Sequence, residues 1–255
     1  MHPIFLKIGN FVIYWYGVFV AIAVFVSVYL FQKEAIKEGY DEKIISQIIF
    51  WTIFFGIIGG RFLHIFVNLP YYYLHPLEIL KIRNGGLAVE GAIIFSLFFL
   101  ILYSKIKRIS TIHLLDTISI FVPLGQAIGR IGCFLNGCCY GKYTDFFFGV
   151  KFPFLEKKVH PTQIYYSTSY LILFFVLKNL SIKLKKGEGF IFSTYLIGFS
   201  LIRYFIDFLR GDLKKTSLDL YSTQIIAILI FIGTGVYIII KMLKKGGDKN
   251  GKTCI

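Results

Sequence analysis

The sequence predicts an all-α, polytopic membrane protein with about seven transmembrane helices, its N-terminus outside and its C-terminus cytoplasmic. Three observations carry that reading. Hydrophobic residues make up 56% of the 255 and charged residues only 16%, with a mean hydropathy of +0.69, far more apolar than an ordinary soluble chain. Apolar runs of the roughly 17–25 residues that a helix needs to cross a bilayer recur along the chain. The segments between them alternate in positive charge.

The first run, about 11–31, follows "MHPIFLKIGN", which lacks the basic start of a cleaved signal. The run itself is too long for a signal core, so it reads as a retained first span. Further runs cover about 44–67, 87–103, 112–135, 162–178, 189–209 and 221–242. Between them lie "FQKEAIKEGYDEK", "NLPYYYLHPLEILKIRNGG", "SKIKRIS", the segment 136–161, "KNLSIKLKKGEG" and "GDLKKTSLD", each marked by charges or turn formers. No repeat of 20–50 residues and no low-complexity tract is visible. Residues 1–242 therefore read as a single transmembrane domain, with 136–161 as an extracytoplasmic arm and 243–255 as a basic, disordered cytoplasmic tail.

The formal charge of +14 points to the membrane surface and not to nucleic acid, because the basic residues sit in short clusters between apolar runs. One alternate set of loops, with the tail, holds 15 Lys and Arg; the N-terminus and the other loops hold 9. The positive-inside rule then places the N-terminus outside. In that orientation Arg61, Arg130 and Arg203, together with Glu90, Asp207 and Arg210, all lie toward the outer leaflet. A charge at a helix centre costs roughly 2.5–3.5 kcal/mol on insertion scales, so such residues pair or line a polar cavity. One chamber opening to the outer side accounts for them all. Asp116, near the inner end, reads as a solvated helix-terminal acid.

Arg203, Asp207 and Arg210 stand at i, i+4 and i+7, a single stripe on a helix. An ion pair between Arg203 and Asp207 that only joins helices is the structural alternative. Arg130 shares a face with Cys133 and precedes the glycine-rich exit "GRIGCFLNGCCYGK". Two arginines from different spans facing one cavity suit an anion, and planar guanidinium forks suit a phosphate. At that depth the abundant anion is a phospholipid head group. Glu90, between glycines, reads as a poorly hydrated carboxyl able to exchange protons near neutral pH, or as a counter-ion to an arginine. His160, before Pro161 at a helix start, reads as a hydrogen-bonding support; His64 reads as packing, and the tyrosines near 14–16 and 71–73 as interface anchors. Cys133, Cys138, Cys139 and Cys254 form no paired CxxC arrangement, so no metal site is expected and the cysteines near the exit read as packing residues.

The stretch 129–142 resembles the signature of the prolipoprotein diacylglyceryl transferases, matched at Gly129, Arg130, Gly132, Cys133, Phe134, Asn136, Gly137 and Gly141. "YWYGV", "GGR" at 59–61, "HPTQIY" at 160–165, "RYFIDFLRGD" at 203–212 and "STQIIAI" are similar to further family segments, in family order. The resemblance implies a bacterial inner-membrane enzyme. It would transfer diacylglyceryl from phosphatidylglycerol to the lipobox cysteine of a preprolipoprotein signal peptide, without a cofactor. Arg130 and Arg203 would be its indispensable arginines and Glu90 would stand where the family has a thiol-activating His. Tyr16, Arg61, Asn136, Gly141, His160, Gln163, Asp207 and Arg210 would contact substrate. The chain departs from the pattern at Glu90 and Ala92, carries Cys at 133 and 138, has Tyr166 for a frequent Glu, and has Asp207 for the usual Glu.

Two other classes compete. A non-catalytic phospholipid or ion transporter would also carry intramembrane charges, but with broken helices and an internal repeat that are not visible. A thiol-based redox protein would use Cys133, Cys138 and Cys139, but lacks a CxxC.

Overall fold

The structure is a computed structural model and describes residues 3–9, 11–80, 85–184, 186–213, 216 and 219–250. It begins with a hairpin, β1 (Ile4–Ile8) and β2 (Phe11–Tyr14), paired antiparallel with Ile8 opposite Phe11. Helices follow: α1 (Trp15–Lys37), α2 (Glu42–Val67), a short α3 (Leu69–Leu74), α4 (Val89–Ile106), α5 (Thr111–Asn136), α6 (Thr162–Lys183), α7 (Phe190–Asp207) and α8 (Ser222–Asn250). The all-helical, polytopic reading stands, with three corrections. Residues 11–14 are strand, not helix, because aromatic and β-branched residues flank a turn at Gly9, whose φ of +56° suits glycine. The loop after α2 folds into α3 and a 3₁₀ turn at Pro76–Leu80. The backbone of α8 stays helical to Asn250, past the start of the expected tail; residues 251–255, with Cys254, lie outside the described residues.

Among the described residues, six helices are both long and apolar enough to cross a membrane: α1, α2, α4, α5, α7 and the Ser222–Leu243 part of α8. The 22-residue α6 is long enough but is not among them. Its first half carries Thr162, Gln163, Tyr165, Tyr166, Ser167, Thr168 and Ser169, and its end carries Lys178 and Lys183.

The chain forms two compact units, residues 32–114 and residues 1–31 with 115–255. In the smaller unit α2 lies against α4 at small residues. A Cβ on Gly59 would run into Phe95 and the Gly91 carbonyl, and one on Gly91 into Gly59. Such contacts let helix backbones approach closely where lipid supplies no hydrophobic drive between helices. In the larger unit α6 buries Gln163, Tyr166, Tyr170, Leu173, Phe174 and Leu177, a stripe at helical spacing. Leu173 fills the space beside Gly198 of α7, and Ser167 donates to the Ala127 carbonyl of α5 at 2.8 Å.

Asp116 is not the solvated acid the sequence suggests. It is fully buried, and its carboxylate accepts from the backbone N–H of Gly187 and Gly189 at 2.8 Å and of Phe192 at 2.9 Å. These are donors of the turn that opens α7, so a side chain of α5 caps a neighbouring helix.

Candidate active site

The glycine-rich exit of α5 is a helix stop. Gly137 takes φ +73°, its N–H donates to Phe134 O, and the N–H of Cys138 donates to Cys133 O, both at 3.2 Å. That pair of bonds satisfies the last carbonyls of α5 in a Schellman turn, which needs a left-handed residue at this position. The chain is thereby folded back over the last helical turn, and the 136–161 arm continues from it. Phe152 and Val159 are buried there, Val150 and Val159 exchange both backbone bonds, and Phe152 stacks on Phe154 at 5.7 Å. Gly141 bridges to Arg210. A Cβ on it would sit 2.6 Å from His160 Cβ and 2.8 Å from Leu209 O, so only glycine lets the arm, the α6 entry and the end of α7 meet.

Asp207 is the hub of the larger unit. It is fully buried; Tyr166 donates to Oδ1 and Thr223 to Oδ2, each at 2.5 Å. Arg203 Nε lies 3.6 Å from Oδ2, and Arg210 Nη1 lies 3.9 Å from Oδ1. The Tyr166 ring in turn carries Arg130, whose Cζ lies 4.3 Å from the ring centroid, and both Arg130 and Arg203 act electrostatically on Tyr170. The two arginines that the sequence pairs are therefore joined through one tyrosine and one carboxylate. Both are half-buried. Among the described residues Arg130 has no carboxylate partner and Arg203 only the 3.6 Å contact through Nε, so most of their N–H donors can take an anion.

Arg210 departs from the predicted stripe. Helix α7 ends at Asp207, and Arg210 turns back so that Nε and Nη2 donate to the two oxygens of Asp212 at 2.6 and 2.7 Å. A fork filled by a bidentate carboxylate is a structural clamp. Gln163 is fully buried and donates to Cys138 O at 2.6 Å, as Thr162 does to Cys139 O; both hold the turn after α5. His160 Nδ1 lies 3.3 Å from the Tyr165 hydroxyl, the supporting role its position predicts. Asn136, half-buried at the end of α5, hydrogen-bonds toward the Cys138 sulfur. Tyr16 is exposed and lies within the field of Arg130.

Arg61 and Glu90 belong to the smaller unit. Arg61 is buried; Nε donates to Ile79 O at 3.0 Å, Nη1 to Gly85 O and Gly86 O at 2.9 and 3.1 Å, and Nη2 to Glu78 O at 2.5 Å. Four carbonyls take four of its five N–H donors, so it clasps the segment leading into α4. Glu90 is on the first turn of α4, at the protein surface. It makes no ion pair with Arg61.

Sequence reasoning missed Tyr166, Thr223 and Asp212. Tyr166 was legible only as a replacement, and Thr223 and Asp212 carry no signal apart from the arginines and acid they serve. The profile of the family described as prolipoprotein diacylglyceryl transferase matches residues 3–240. The chain belongs to that family. A prolipoprotein diacylglyceryl transferase of Clostridium tetani is 38% identical over 251 residues, covering 96% of this chain and 100% of that protein. Those of Lysinibacillus sphaericus and Listeria welshimeri are each 31% identical, covering 93% and 99% of this chain and 92% and 96% of their own length. All three are named phosphatidylglycerol–prolipoprotein diacylglyceryl transferases. Membership of the prolipoprotein diacylglyceryl transferase family favours the transferase reading over the transporter and redox readings.

Proposed function

We propose that this enzyme moves the diacylglyceryl group of phosphatidylglycerol to the lipobox cysteine thiol of a preprolipoprotein, the first step of lipoprotein maturation, in the bacterial inner membrane with its site toward the outer leaflet. The observation that carries the reading is the Arg130–Tyr166–Asp207–Arg203 chain of contacts in a member of this family. The incoming thiol gives its proton to a general base and thence to water, and the thiolate attacks the glyceryl carbon bonded to the phosphate oxygen. A C–S bond forms as the C–O bond breaks, and the electron pair leaves with glycerol phosphate.

The phosphate goes from one negative charge in the diester to two in the departing monoester. Guanidinium donors already in place gain most where that second charge develops, which lowers the barrier selectively. Asp207 fixes Arg203 and, through the Tyr166 ring, sets the plane on which Arg130 rests. An apolar groove of about 210 Å³ between α7 and α8, lined by Leu201, Phe205, Ala227 and Phe231 and bordered by Ser200 and Tyr204, flanks Arg203 along its helix and suits an acyl chain.

The test is complementation of a bacterium depleted of its own transferase, scored by acylation of a lipoprotein. The natural chain restores acylation, while Arg130→Ala and Arg203→Ala, present in the membrane at equal amounts, each lose at least about 10²-fold, as removal of one preorganised donor does elsewhere. Full acylation by either arginine variant would overturn the assignment.

A further inference from the structure

Three sulfurs remain outside that reaction. Cys133 on α5 and Cys138 and Cys139 beyond the Schellman turn have their Sγ atoms all within 4.8 Å of one another. The turn is what brings them together, since it folds Cys138 over Cys133, with Cys138 Sγ 3.7 Å from the Cys133 carbonyl oxygen. All three are free thiols and half-buried, not sealed into an apolar core. Cysteines that only pack sit among apolar side chains; these sit beside Asn136 and in the field of two arginines, Arg130 and Arg210.

We propose that Cys133, Cys138 and Cys139 form a tris-thiolate site for one thiophilic d10 metal ion, of the Cu⁺ or Zn²⁺ class. Three sulfurs bound to one ion at the usual ~2.3 Å lie about 3.8–4.0 Å apart, so the observed cluster needs only small side-chain adjustments. Soft thiolates select such ions over harder ones. Three thiolates leave a net negative charge on either complex, and Arg130, which has no carboxylate partner among the described residues, acts on the cluster with its positive charge. The bound ion ties the last turn of α5 to the residues after it, one helical turn from Arg130. The site stands whether or not the proposed reaction is correct.

The experiment uses the full chain in detergent, reduced and anaerobic, titrated with Cd²⁺ as a spectroscopic probe and with Cu⁺ against a competing chelator. One equivalent per chain is expected, with a sulfur-to-metal charge-transfer band and a rise in the thermal midpoint, both weakening as the pH is lowered because protons compete for sulfur. Cys133→Ser and Cys139→Ser lose the band while keeping their helical circular dichroism, and Cys254→Ser leaves it unchanged; if either variant fails to fold, Cys138→Ala takes its place. No band in the natural chain, a band that persists in Cys133→Ser, or a Cys133 disulfide to Cys138 or Cys139 in protein isolated without reductant would each overturn the proposal.

Discussion

Replacing Asp207 with Asn asks whether the hub organises the arginines. The oxygen count falls from two to one, and an NH2 group is put against a hydroxyl or a guanidinium that now donates to the carboxylate. Of two hydroxyl donors at 2.5 Å one is left without an acceptor, and two guanidiniums at 3.6 and 3.9 Å lose the negative charge, in a fully buried place. Removing one member of a buried ion pair costs about 3–5 kcal/mol, roughly 10²- to 10⁴-fold if it falls on the transition state. Part of the loss reaches stability, so transfer from labelled phosphatidylglycerol to a lipobox peptide is measured beside the thermal midpoint. Tyr166→Phe is the companion variant: it keeps the ring under Arg130 but removes one hydrogen bond to a charged group, about 1.5–3 kcal/mol. Asp207→Asn turning over at the natural rate, or Tyr166→Phe proving more harmful than Asp207→Asn, would show that the arginines do not depend on this carboxylate.

Glu90→Gln is expected to lower transfer and Glu90→His to preserve it, both with thermal midpoints near that of the natural chain because the residue is exposed and exposed substitutions stay within about 0.5 kcal/mol; an undiminished Gln variant eliminates the carboxylate as a base. Asp116→Ala removes the acceptor of one buried and two part-buried backbone donors, the buried one alone worth about 1–3 kcal/mol, so chemical unfolding should show a loss of about 2 kcal/mol or more, and a change below about 1 kcal/mol would refute the cap. Gly137→Ala forces a Cβ to 2.7 Å from Phe154 at φ +73°, and the left-handed conformation alone costs roughly 1–2 kcal/mol; an unchanged unfolding midpoint would contradict the turn.

The number and order of the long helices were legible because a bilayer imposes its own length scale on apolar runs. Arg130 and Arg203 were legible because a charge in such a run needs a reason. Partners were not. Nothing in the spacing of Arg61 distinguishes a guanidinium awaiting an anion from one that donates to four carbonyls 17–25 residues away. The stripe through Arg203, Asp207 and Arg210 assumed a helix that stops at its second member. Asp116 was misread because its partners lie about 70 residues on, beyond any local pattern. The hairpin at the start had a usable sign, alternating β-formers about Gly9, which the longer apolar run obscured.

Helix α6 has a consequence for how the protein is made. Its polar first half has few apolar side chains to offer lipid, yet Thr162, Gln163, Tyr166 and Tyr170 are enclosed by protein. A segment of this kind gains little by partitioning alone and becomes stable only once α5 and α7 flank it, so its insertion waits on the synthesis of α7. The same polarity that lets Tyr166 reach Asp207 makes the birth of this helix a collective event.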